Sequence, residues 1–139
     1  MAEGLFRHHF ERSNLADVFV TDSCGTGNWH AGELADIRMR KTAAKNGINL
    51  THKARQIQHE DFEEFDYLLV MDHENYKNVV KIRPDYADKV FLVSHFNPMY
   101  QNQIVPDPYF GEQADFDQVY DMLNHITSEL VIYFHQNRK

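Results

Sequence analysis

Apolar positions recur along this chain with two periods, and their alternation predicts the architecture. Leu5, Phe6 and Phe10 fall near one helical face, which predicts a helix from Met1 to about Arg12. No capping residue precedes it, and Met1-Ala2-Glu3 already read as helical. Val18-Phe19-Val20 is a short apolar run, read as a buried strand. A helix follows from about Ala35 to Lys45, closed by Asn46-Gly47 with glycine at the C-terminal cap. Glu60 to Glu64 reads as one helical turn. Tyr67-Leu68-Leu69-Val70-Met71 is apolar throughout and predicts a strand buried on both faces. His73 to Ile82 predicts a helix that stops before Pro84, and Val90 to Val93 another strand. In the last helix, Phe116, Val119, Leu123, Ile126 and Leu130 recur at three and four, with Asp115 as its cap and Gln118 three residues on.

Helix, strand, helix, strand, helix, strand, helix is the order expected of α/β architecture, a parallel sheet with helices on both faces. Opening on a helix departs from that scheme, because a crossover helix normally follows a strand. The length of 139 residues fits one domain, residues 1–139, large enough for a real core.

Composition narrows the partners. The net charge of −7 and the lack of a basic stripe argue against nucleic acid. No apolar run approaches membrane-spanning length and no signal peptide is visible. One cysteine, Cys24, rules out an intrachain disulfide framework and fits a reducing cytoplasmic compartment. Nine histidines invite a metal reading, but no H-E-x-x-H or similar spacing occurs, so no metal site is expected.

Candidate chemistry lies in two loops. In Val105-Pro106-Asp107-Pro108-Tyr109-Phe110-Gly111, two prolines clamp one aspartate in extended backbone. A carboxylate held that stiffly suits general acid work, where a proton must reach a leaving oxygen at hydrogen-bond distance. An ordinary Asp-Pro turn is the competing reading. In Asp22-Ser23-Cys24-Gly25-Thr26-Gly27-Asn28-Trp29-His30, small residues allow close backbone approach to a ligand. Trp29 at its tip reads either as a wall for a flat substrate or as an anchored lid. Asp72 follows the Tyr67–Met71 strand, at the end where parallel sheets present ligand-facing residues.

These residues resemble the low-molecular-weight protein tyrosine phosphatases over nearly the whole chain. The resemblance rests on Met1-Ala2-Glu3-Gly4, Asp22 through Gly32, Asp36-Ile37-Arg38 and His52-Lys53-Ala54-Arg55-Gln56. Asp61-Phe62, Phe65-Asp66-Tyr67, Met71-Asp72 and Asp107 through Gly111 complete it, in the family's order and spacing. It implies a three-layer α/β/α fold of the phosphotyrosine phosphatase I type. It also implies a two-step phosphoryl transfer without metal or organic cofactor. A cysteine thiolate attacks phosphorus, an aspartic acid protonates the leaving phenolate, and water then hydrolyses the phosphocysteine. Carried over by position, Asp107 is the general acid, Trp29 and Tyr109 are walls for the substrate ring, and Ser23, His52 and Asp72 form the polar network behind the phosphate loop. The implied substrate is a phosphotyrosine protein or small aryl phosphate. The family often has tyrosine where Phe110 stands, so regulation through that hydroxyl is not expected.

The resemblance has one large gap. The family's C-x5-R-[ST] phosphate loop does not occur; five residues after Cys24 comes His30. Cys24 therefore reads as a small buried thiol. The implication is that Met1 is an internal methionine. The central first strand, the nucleophile and the phosphate-binding arginine would then lie outside these 139 residues. The chain alone would be inactive, and its unpaired strand edges would favour self-association. A non-catalytic binding or scaffold protein is the alternative. An arsenate reductase is disfavoured because no further cysteine pair exists. A phosphoarginine phosphatase is weighed against Trp29 and Tyr109, which favour an aromatic ester.

Overall fold

A computed structural model describes residues 1–27, 32–108 and 111–137. Helix α1 spans Ala2–Arg12, α2 Ile37–Lys45, α3 His59–Glu64, α4 His73–Ile82 and α5 Gln113–Gln136. Strands β1 (Leu68–Val70) and β2 (Val90–Leu92) pair in parallel, with Leu68 opposite Val90, Leu69 opposite Phe91 and Val70 opposite Leu92. A 3-10 segment, Pro84–Lys89, joins α4 to β2. The α/β architecture with a parallel sheet is the one the sequence pattern predicts. Among the described residues, no helix is long and apolar enough to cross a membrane.

The long helix organises the larger core. Phe116, Val119, Leu123, Ile126 and Leu130 are all buried, as the three-and-four spacing predicts. Each such side chain gains about 1.5–3 kcal/mol over staying exposed. They meet Leu5, Phe6 and Phe10 of α1 and Ala43 of α2. Gly4 lets α1 approach closely, since a Cβ there would lie 2.5 Å from Leu50 Cδ2. A second core joins Phe62 of α3, Val79 of α4, and Val70, Val90 and Leu92 of the sheet.

Local chemistry sets the helix ends. Asp36 caps α2 by accepting from Arg38 N at 2.8 Å. Gly47 follows α2 at φ +80°, the left-handed conformation that glycine adopts without strain. Lys89 Nζ donates to the carbonyls of Phe62 and Phe65 at 2.7 and 3.1 Å, satisfying the C-terminal end of α3.

Two expectations need correction here. Val18-Phe19-Val20 is not a strand: Val18 is 44% and Val20 84% exposed. A strand buried on both faces needs ladder partners, and among the described residues nothing pairs with this run. Asp115 is not the cap of α5. Glu112 holds that position, and Asp115 Oδ2 reaches back to accept from Glu112 N at 2.8 Å. Capping-box logic was legible in the sequence, but the register was displaced by three residues.

Candidate active site

The loop that begins at Asp22 is strapped to residues 54–57. Gly25 N donates to Arg55 O at 2.9 Å and Ile57 N to Gly25 O at 2.8 Å. The return arm is held the same way, with Gly32 N on Ala54 O and Ala54 N on Glu33 O, each at 2.7 Å. Both ends of the loop therefore lie along one extended segment. Trp29 itself falls outside the described residues.

Beneath this loop sits a cluster of charged and polar side chains around Glu3, which is only 7% exposed. Ser23 Oγ donates to Glu3 Oε1 at 2.7 Å, and Arg7 pairs with the other carboxylate oxygen. His52 Nε2 donates to the Ser23 carbonyl at 3.1 Å. Its Nδ1 faces Glu3 Oε1 at 3.4 Å and Asp22 Oδ1 at 3.6 Å. Arg55 closes the cluster. Its two terminal nitrogens donate to the two oxygens of Asp61, both at 2.9 Å, and Nη2 also reaches Asp22 Oδ2 at 3.0 Å. This fork holds the Asp61 carboxyl below the usual carboxylate range and raises the guanidinium further. Glu3, Asp22 and His52 bring one donor atom each within 4.8 Å of the others, the donor set of a cation site. Arg7 and Arg55 already supply positive charge to those carboxylates.

Cys24 corrects another expectation. It is exposed rather than buried, on the loop that Gly25 ties to residues 55–57. Enough protein still surrounds its sulfur to push the thiol up to about 11, against the opposing pull of Arg55. At neutral pH it is a thiol, not the thiolate that a nucleophile requires.

The Asp107 loop is delivered to the carboxyl end of the sheet. Val105, buried at 3%, donates its N–H to Met71 O at 2.8 Å, one residue beyond β1. The approach is stiff as well. Ser94 Oγ donates to Gln103 O at 2.6 Å, and Asn97 Oδ1 accepts from Met99 N and Tyr100 N, both at 2.9 Å. Asp107 is exposed and borders a cleft of about 340 Å³, with Pro106, Pro108, Val119 and Met122 among its lining residues. Asp72 lies next to Met71, and its carboxylate accepts from Asn75 N at 2.8 Å, capping α4. Ser23 and His52 are thus in direct contact, while Asp72 serves a helix end. Tyr109 and Phe110 fall outside the described residues.

A family model for the low molecular weight phosphotyrosine protein phosphatases matches residues 1–139. The chain belongs to that family. The fission yeast Schizosaccharomyces pombe member is 39% identical over 125 residues, covering 88% of this chain and 80% of that one. In structure, the chain is similar to the protein tyrosine phosphatase of Entamoeba histolytica. The TM-score is 0.92 at 30% identity, over 99% of this chain and 89% of that one. It is also similar to the arginine phosphatase YwlE, known from Bacillus subtilis, with a TM-score of 0.87 at 26% identity, over 99% and 88% of the two chains.

Within this phosphatase fold, sequence reading named Ser23 and His52 but passed over the charges that hold them. Glu3, Asp22, Arg55 and Asp61 all stand in the stretches that carried the resemblance. The available signal was a glutamate one helical turn before Arg7, beside the apolar face of α1. Nothing in periodicity alone shows that such a glutamate is buried rather than solvated.

Proposed function

We propose that this chain carries the acid, the substrate walls and the supporting network of a tyrosine-directed phosphatase, and that no cysteine among these 139 residues stands in the C-x5-R-[ST] pattern of the family's phosphate loop. The substrate class is phosphotyrosine in proteins, or a small aryl phosphate. Asp107 protonates the phenolic oxygen as the phosphorus–oxygen bond breaks. Trp29 and Tyr109 flank the ring. Ser23, His52 and Asp72 support the phosphate loop. On this reading the 139 residues alone do not turn over substrate, because their single cysteine is a high-pKa thiol outside any C-x5-R pattern.

The observation that carries the proposal is the Pro106-Asp107-Pro108 segment. Its carboxylate is exposed at the mouth of a cleft, at the sheet end where ligand-facing groups gather in parallel α/β folds. Its mobility is restricted by two fixed φ angles and by the Val105–Met71 hydrogen bond. A proton donor held this way loses little entropy when it meets the leaving oxygen.

The test is phosphate release from a tyrosine-phosphorylated peptide by this chain restored with an N-terminal C-x5-R-[ST] segment. Activity is expected, and Asp107→Asn is expected to flatten the alkaline limb of the pH–rate profile as it lowers the rate. An Asp107→Asn protein with an unchanged rate and profile would remove Asp107 from the mechanism.

A further inference from the structure

We propose that Arg38 is a positioning residue for the general acid, fixing the far end of the Asp107 loop to the start of α2. The inference rests on the reading of Asp107 given above. Arg38 lies two residues into the Asp36-Ile37-Arg38 stretch, to which the mechanism assigns no role.

The geometry is a three-way fixation of one guanidinium. Asp36 Oδ1 accepts from Arg38 Nε and Asp36 Oδ2 from Nη2, each at 3.2 Å. That pairing holds the Asp36 carboxyl below its ordinary range. Nη1 is directed elsewhere and donates to the Gly111 carbonyl at 2.8 Å. The guanidinium carbon stands 4.5 Å from the centre of the Phe116 ring, whose residue is 2% exposed on α5. Salt bridge, hydrogen bond and ring face thus each constrain a different direction of one planar group.

Gly111 is the closing residue of the Asp107 loop. Its N–H donates to Pro108 O at 2.8 Å, which ties it back to the second of the two prolines. A Cβ on Gly111 would meet the Asp115 side chain, which would have to shift to admit it. The loop is consequently pinned at both ends, by Val105 on Met71 and by Gly111 on Arg38, with Asp107 between them.

Magnitudes favour a geometric role over a stabilising one. The Arg38 and Asp36 side chains are 34% and 27% exposed, and ion pairs this accessible contribute little to global stability. A small displacement of a proton donor, by contrast, is strongly felt in rate. Lysine at position 38 could reach one partner, but it lacks the fork that meets Asp36 and Gly111 together.

The chemistry gives a readout that loss of stability does not move. When the phosphorus–oxygen bond breaks, its electron pair passes to the aryl oxygen and the Asp107 proton follows. Meanwhile the attacking thiolate of the phosphate loop forms the sulfur–phosphorus bond. A poor leaving group such as phenol needs that proton; 2,4-dinitrophenol does not. The experiment compares this chain, restored with an N-terminal C-x5-R-[ST] segment, with its Arg38→Met, Arg38→Lys and Asp107→Asn variants on phenyl phosphate and 2,4-dinitrophenyl phosphate. Arg38→Met is expected to lower kcat on phenyl phosphate about tenfold, part of the general-acid contribution, with dinitrophenyl turnover within about twofold. Arg38→Lys is expected to fall between. If Asp107→Asn shows the leaving-group effect and Arg38→Met lowers both substrates equally, or neither, the proposal is overturned. If Asp107→Asn shows none, the reading of Asp107 fails instead. Backbone 15N relaxation of residues 105–111 then decides the positioning claim. Greater motion at Asp107 and Gly111 in Arg38→Met supports it, and unchanged order refutes it.

Discussion

Two regions of this molecule hold polar groups in place by opposite means. Under the Asp22 loop, side chains do the fixing: Glu3, Asp22, Asp61, Ser23, His52 and the guanidinium of Arg55 bond to one another. Around Asp107, every restraint falls on the backbone, through two prolines, the Val105–Met71 bond and the Arg38 bond to the Gly111 carbonyl. The first arrangement is a network in which each deletion leaves a neighbour unsatisfied. The second is local stiffness around an exposed residue at the border of a cleft. A supporting cluster can be buried and fully bonded; a proton donor has to keep its acid in reach of substrate.

The contrast predicts that damage at Asp107 is kinetic. In the active protein, Asp107→Asn is expected to lower kcat on phenyl phosphate or phosphotyrosine by about 10²–10⁴-fold. The urea midpoint should stay within experimental error, since an exposed side chain is changed. A large loss of stability with little change in rate would reverse the assignment of the two regions.

Damage in the Glu3 cluster is expected to be structural. Arg55→Leu removes the fork on Asp61, whose residue is 7% exposed, leaving the Gln58 N–H at 2.7 Å as its backbone donor. Destabilisation of about 1–3 kcal/mol is expected, read as a lower urea midpoint at unchanged m. A neutral result would mean that the network is not needed for the fold.

Acid should act on the same cluster. Asp61 has a folded-state pKa below its unfolded value, with Arg55 as the main cause. Such a group stabilises the fold above the unfolded value of about 3.9, and that contribution disappears as pH falls through the folded value. Stability of the native chain should therefore decline below about pH 4, and Arg55→Leu should reduce that slope. Equal slopes in both proteins would show that the pairing does not contribute.

The smallest expected effect is at Cys24. Burial pushes its thiol up to about 11, so alkylation by iodoacetamide at pH 7.5 should run on the order of tenfold slower than for an ordinary cysteine near 8.5. Cys24→Ala should leave phosphatase turnover intact and shift stability by no more than about 0.5 kcal/mol. Rapid alkylation or loss of turnover would draw Cys24 into the chemistry.

Much of the fold was readable from periodicity. The apolar stripe of α5, the bounds of α4 and the two paired strands follow from spacing, but the first strand is not buried on both faces as its apolar run implied: Leu68 and Leu69 are half-buried and Tyr67 is 38% exposed. Val18 to Val20 misled for a physical reason. An apolar run states what could be buried, whereas a strand also needs a neighbour to bond with, and the local sequence does not contain that information. Cys24 misled similarly, since a small apolar-like residue in a glycine-rich loop goes where the backbone bonds of Gly25 send it. The restraint on residue 107 was visible because its flanking prolines act locally. Glu3 was not, because its burial depends on Ser23 and His52, some 20 and 49 residues away.

The central step of the proposal is that no thiol within these 139 residues serves as the phosphatase nucleophile. It is tested most directly by incubating a purified polypeptide of 16.4 kDa, verified by intact mass to contain these 139 residues alone, with p-nitrophenyl phosphate. The account predicts a folded protein with no release of p-nitrophenol above the buffer rate. Sustained turnover that disappears on Cys24→Ala would contradict it.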